Sequence, residues 1–195
     1  MKYPNCLGLI LFIIMNNDSK VLLDSLLETA SNKWKVDGKP MDINQIMENM
    51  NKIAFHESKN NPSAIQISDK TESGFGPGRG LFQFETGKGQ GANTAINRLI
   101  AQNQGVVPSF LGGISESNYD VSSLTPEQQQ AIFLGNLLQM PHKKGKVPAS
   151  FEGVDTDEEL ADYWAQYHQA GTQVGSDAQS QIVNKFLEDI AHYGG

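Results

Sequence analysis

Residues 55–85 read FHESKNNPSAIQISDKTESGFGPGRGLFQFE. The stretch begins where a helix ends. Upstream of it, Ile43, Ile46, Met47, Met50, Ile53 and Ala54 recur at spacings of three and four, one apolar stripe of an amphipathic helix. Asp42 stands three residues before Gln45 at the start of that helix, a variant of the capping box. One further turn along the stripe lies Glu57, because residues three and four apart share a helix face. A carboxyl group on the apolar side is partly desolvated, and desolvation raises its pKa. An acid that keeps its proton near neutral pH suits attack on a glycosidic oxygen. The same periodicity also fits a Glu57 that closes the stripe and rotates into solvent.

Beyond Glu57, Asn61-Pro62 turns the chain out of the helix. From Asn60 to Gln90 the sequence is rich in Gly, Ser, Asn and Asp, with one apolar cluster, Leu81-Phe82-Gln83-Phe84. A loop of about thirty residues is unusual in a compact domain and is normally functional or disordered. The aromatic patch favours function. Its glycines let backbone approach a neighbouring group closely. Gln83 offers two donors and an acceptor. Phe82 and Phe84 alternate across an extended segment, one facing the core and the other open to a groove, though the pair reads more readily as core.

Five or six helices are expected in all, with little strand signal. Val21, Leu22, Leu23, Leu26, Leu27 and Ala30 mark one over 18–31. Ala92, Ala95, Ile96, Leu99 and Ile100 mark another, stopped by Gly105. Thr125-Pro126 with Gln128 opens a helix carrying Ile132, Leu134, Leu137 and Leu138. Thr156 with Glu159 opens one bearing Leu160, Trp164, Tyr167 and His168, closed by Gly171; Ser176 with Gln179 opens the last, with Ile182, Val183, Phe186, Leu187 and Ile190. The result is one mainly α domain over 17–195. Residues 1–16 form a separate apolar segment, read equally as a signal or anchor behind Lys2, as residues ahead of a true start at Met15, or as a packed segment. The run Leu7–Met15 is too short to cross a bilayer, which takes roughly 20 residues, so membrane contact is expected only if this segment is retained.

The chain has 195 residues, 38 % of them hydrophobic, and a net charge of −7. An acidic chain is a poor nucleic-acid binder and has no electrostatic attraction to an anionic cell wall. Affinity for such a wall then rests on a shaped groove. The basic cluster Lys143, Lys144 and Lys146 reads as a solvated loop. Cys6 is the single cysteine, which rules out an intramolecular disulfide and a cysteine-based metal site. The histidines show no metal-ligand spacing, and neither metal nor cofactor is expected.

The sequence Glu57-Ser58, Asn61-Pro62 and Ala64 resembles the Glu-Ser-x-x-Asn-Pro-x-Ala motif of the soluble lytic transglycosylase family. Gly78-Arg79-Gly80-Leu81-Phe82-Gln83-Phe84 resembles that family's second motif, Gly-x-x-Gly-Leu-Met-Gln, with Phe82 for Met and one residue fewer between the glycines. Together the motifs span about thirty residues of the 195. The resemblance implies a lysozyme-like α(+β) domain with a long catalytic loop region. It implies cleavage of the MurNAc–GlcNAc β-1,4 bond of peptidoglycan, with Glu57 as single general acid/base and 1,6-anhydro-MurNAc as product. Ser58, Gln83, Phe84 and Tyr167 are then the expected substrate-binding residues. The family's Ala-Tyr-Asn motif is not present as such; Tyr163 and Tyr167, flanking Trp164, stand nearest to it. The loop between the motifs is longer than the family's and contains Asp69 and Glu72, with Glu85 just beyond. These read first as solvated loop acids; the alternative is that one of them positions water, as in goose-type lysozymes, which would make the chain a hydrolytic muramidase. The second motif also resembles lysozyme-like domains of bacteriophage virion and lysis proteins. That leaves open a non-catalytic glycan-binding module, other virion proteins as partners, and a site of action in the periplasm or cell wall.

Overall fold

The computed structural model describes residues 6–87, 89, 91–115, 117–139, 150–167 and 175–194, with side chains from residue 18 onward and that of Tyr167 excepted. The chain is mainly helical. In order, the elements are α1 (Cys6–Lys33), β1 (Lys35–Val36), β2 (Lys39–Pro40), α2 (Ile43–Ser58), β3 (Ile65–Ile67), β4 (Phe75–Arg79), β5 (Phe84–Glu85), α3 (Gly91–Gln102), a 3-10 turn (Ser109–Gly113), α4 (Pro126–Gln139), α5 (Asp157–Tyr167) and α6 (Asp177–Ile190).

The core is built around α4. From Gln128 to Leu138 nearly every side chain of this helix is buried, so it carries no wet stripe and is wrapped by its neighbours. α1 and α3 pack directly on it, and α5 packs on α6. Gly135 permits the α3 contact: a Cβ there would stand 2.6 Å from Leu99 Cδ1 and 3.0 Å from Leu99 Cα. Thr125 caps the helix reciprocally with Gln128: Gln128 N donates to Thr125 Oγ1, and Thr125 N to Gln128 Oε1. Glu159 closes the same box at α5 by accepting from the backbone N–H of Asp155 and Thr156. Ser176 caps α6 through Gln179 N.

Asp42 does cap α2, accepting from Asn44 N, but Gln45 does not complete a box. Its amide donates instead to Asn49 Oδ1, one turn on. The first helix is longer than the expected 18–31. It runs as one backbone helix from Cys6 to Lys33, and nothing interrupts it at residue 16. Among the described residues no helix is long and apolar enough to cross a membrane.

The largest departure concerns residues 60–90. In place of an unbroken loop, the described residues of this stretch include a three-stranded antiparallel sheet, in the order β3-β4-β5, joined by turns. Ile65 pairs with Arg79, Ile67 with Phe75, and Arg79 with Phe84. β3 alternates over only three residues, Ile65-Gln66-Ile67, and β4, Phe-Gly-Pro-Gly-Arg, contains three residues that strands disfavour, which is why the sequence reads as loop. Lys143, Lys144, Lys146, His168 and Gly171 lie outside the described residues.

Candidate active site

α2 brings Glu57 to the site. Its buried residues Ile46, Asn49, Met50, Ile53 and Ala54 define the inward face, and Glu57 is the next residue on it. The helix stops immediately afterwards. Lys59 and Asn60 both adopt left-handed backbone (φ 55° and 60°), and their N–H groups return to the carbonyls of Phe55 and Ala54. This double bond pattern satisfies the last carbonyls of the helix. Asn61 then accepts from Ser63 N through its side chain, turning the chain into β3.

Glu57 is partly buried, its side chain 17 % exposed. Burial pushes its carboxyl up to about 7, opposed by a hydrogen bond from Trp164 and reinforced by the nearby charge of Asp189. The Trp164 indole Nε1 donates to Glu57 Oε1 at 3.1 Å from the buried face of α5. Oε2 has no hydrogen-bond partner among the described residues, which leaves it as the oxygen able to deliver a proton.

Behind the acid stands His56. Its Nδ1 lies 2.8 Å from Asp189 Oδ2 and its Nε2 3.7 Å from Glu57 Oε1. A carboxylate only accepts, so Nδ1 carries the hydrogen in the neutral ring. Desolvation holds the imidazole below its ordinary pKa despite Asp189, so the neutral form prevails near pH 7. Nε2 therefore faces Glu57 without a proton, and no imidazolium charge stands beside the carboxyl group. Asp189 stays ionised: burial opposes it, but Lys59 and Lys185, at 2.7 and 3.2 Å, hold its carboxyl below the usual range.

Glu57 opens forward into a cleft of about 490 Å³. Gln83, Phe84, Glu85 and Gln66 of the sheet line it, with Trp164 from α5 and Thr94 and Arg98 from α3. A second recess of about 330 Å³, bounded by His56, Ile182 and Lys185, reaches Glu57 from the rear.

Of the residues expected from the sequence, the fold gathers Glu57, Gln83 and Phe84 at one cleft. Ser58 is not there: its hydroxyl turns back on α2 and donates to Ala54 O at 2.9 Å. The side chain of Tyr167 lies outside the described residues, and Tyr163 is a core residue packed edge-on against Phe151. Asp69 and Glu72 sit on the exposed turn between β3 and β4 and do not line the cleft; Glu85 does.

Phe82 and Phe84 do not alternate. Residues 80–83 form a turn, with Gly80 at φ 73° and Gln83 at φ 47°, so both rings end on one side and are buried. Phe82 stacks on Phe133 at 4.1 Å. The glycines make room for side chains of the protein itself. A Cβ on Gly76 would collide with Gln66, one on Gly78 with Gln83 Oε1, and one on Gly80 with Gln129 Oε1. Gln83 spends one donor on Gly80 O at 2.9 Å. Sequence reasoning missed Trp164, Gln66 and Arg98 as site residues. Trp164 falls on the apolar face of α5, where an indole reads as core.

Buried Gln129 on α4 holds the two motif segments in place. Its oxygen accepts from Leu81 N at 2.7 Å, while its nitrogen donates to Pro62 O and Leu124 O, both at 2.9 Å. No cluster of three or more His, Cys, Asp or Glu side chains suited to a metal occurs among the described residues. Compared with protein families, curated proteins and solved structures, the chain matches none.

Proposed function

We propose that this chain is a lytic transglycosylase with a lysozyme-like catalytic domain, cleaving the MurNAc–GlcNAc β-1,4 bond of bacterial peptidoglycan. The observation that carries the reading is Glu57: a carboxyl group raised to about 7 by burial, held at one oxygen by Trp164, at the back of an open cleft. Protonated Glu57 gives its proton to the bridging oxygen as the bond to muramyl C1 breaks. The substrate's own acetamido oxygen supports the cationic C1. The Glu57 carboxylate then takes the proton of the muramyl 6-hydroxyl, whose oxygen closes on C1. The acid is regenerated, no water is consumed, and one protein carboxylate suffices, unlike the two-carboxylate glycosidases. The wall is then the place of action, reached by export or as part of a phage particle.

One observation favours a second reading. Glu85 lines the same cleft and is exposed, and in this reading it orients a water against C1. That chemistry would be hydrolytic. Mass spectrometry of digested sacculi decides between them, since only transglycosylation leaves anhydro-muropeptides. Glu57→Gln is expected to abolish clearing while the protein stays folded. Clearing at the parental rate would remove the catalytic assignment.

A further inference from the structure

The cleft wall opposite the sheet is one face of α3. Thr94 and Arg98 lie four residues apart on it, and both line the cavity. Arg98 is the only cation among the described lining residues. It is partly buried, and its one hydrogen bond there is from Nη1 to Asn136 Oδ1 at 2.8 Å. No carboxylate among the described residues comes within ion-pair distance of it. Glu85 lines the same cavity without pairing to it. Arg98 is thus a half-sheltered guanidinium without an acid partner among the described residues. Holding it in a cleft costs desolvation that a water-exposed arginine avoids.

Asn136 fixes the guanidinium by one N–H and leaves the rest of its planar fork open. That fork matches a carboxylate through two parallel N–H···O bonds, which an ammonium group cannot reproduce. The Thr94 hydroxyl, on the same face, adds a donor or acceptor for the group carrying it. We infer that Arg98 and Thr94, with Asn136 bracing the guanidinium, form a subsite for a carboxylate borne by the glycan strand in the Glu57 cleft. The inference rests on the glycan reading above and names the class of sugar chain: one with acidic substituents, not a neutral polymer. Two sources supply that chemistry, the free lactyl carboxylate of an unsubstituted muramyl unit and the carboxylates of an attached peptide.

The test is calorimetric binding to the full chain carrying Glu57→Gln, which protects the ligands, with and without Arg98→Gln. Three ligands of equal sugar length are compared: peptide-bearing glycan, glycan stripped of peptide so that lactyl carboxylates are free, and neutral N-acetylglucosamine oligomer. Arg98→Gln is expected to weaken binding of the acidic ligands about 10- to 100-fold, the value of a charged hydrogen-bonded contact, and that of the neutral oligomer less than about twofold. Arg98→Lys should recover only part of the loss, because it restores the charge without the fork. Loss confined to stripped glycan assigns the lactyl group, loss confined to peptide-bearing glycan assigns the peptide, and loss on both assigns either carboxylate. Unchanged binding of all three, equal loss on all three, or no binding of any acidic ligand overturns the subsite. Failure of the catalytic reading shows elsewhere: the unsubstituted chain would leave sacculi uncut.

Discussion

Glu57 stores a measurable tension between fold and acid. Its carboxyl ionises near 4.5 in the unfolded chain and near 7 in the folded one. Between those values the folded state holds a proton that the unfolded state has released, so stability falls as pH rises through this window. The loss amounts to about 3 kcal/mol at most and is complete above the folded value. Glu57→Gln should therefore show a flatter stability profile and overtake the parent above pH 7, as followed by chemical denaturation at several pH values. Trp164 acts with the opposite sign. Its indole N–H stabilises the charged form, so Trp164→Phe should push Glu57 above about 7. The basic limb of the kcat/KM profile would move upward, with a lower plateau because the acid loses its tether. An unshifted limb would show that Glu57 is not the titrating acid. Glu57 was singled out in the sequence by the Glu-Ser-x-x-Asn-Pro-x-Ala resemblance, since the helical stripe leading to it fits a side chain turned to solvent as well. Trp164 was not, because periodicity records which face is apolar and says nothing of where an indole N–H points.

At the scale of elements, the boundaries written in local chemistry were readable. The reciprocal boxes at Thr125 and Thr156 and the cap at Ser176 each sit at the expected helix start. Gln45 shows the limit of that reasoning, since Asn49 offers its amide a competing partner one turn away. The sheet was illegible for a different reason. Its glycines serve contacts made only on folding, Gly76 leaving room for Gln66 and Gly78 for Gln83. Gly80, with left-handed backbone and no room for a Cβ beside Gln129, belongs to this set. Gln129→Leu should destabilise the fold by about 2–4 kcal/mol, because a buried Leu81 N–H and two carbonyls lose their partner together. Thermal unfolding measures the loss. A change below about 0.5 kcal/mol, the size expected of a plain surface substitution, would mean the three bonds are dispensable.

For the molecule as a whole, composition limited the answer without reaching it. The acidic balance argued for a shaped cleft rather than a charged surface, and the cleft contains a single described cation, Arg98. The mainly helical class followed from apolar periodicity, and the central position of α4 accounts for why that helix alone shows no polar face. The bond from Gln129 to Leu81 spans 48 residues of sequence and that to Pro62 spans 67, so both motif segments depend on a helix formed far along the chain. Contacts of such separation close late in folding. The backbone hydrogen of Leu81 is then a clock for the cleft. In the intact protein it should exchange with deuterium as slowly as the amides of α4, and in Gln129→Leu it should exchange early while α4 stays protected. A single proton, read by mass over minutes to hours, would thus report how often the two halves of the site let go of each other.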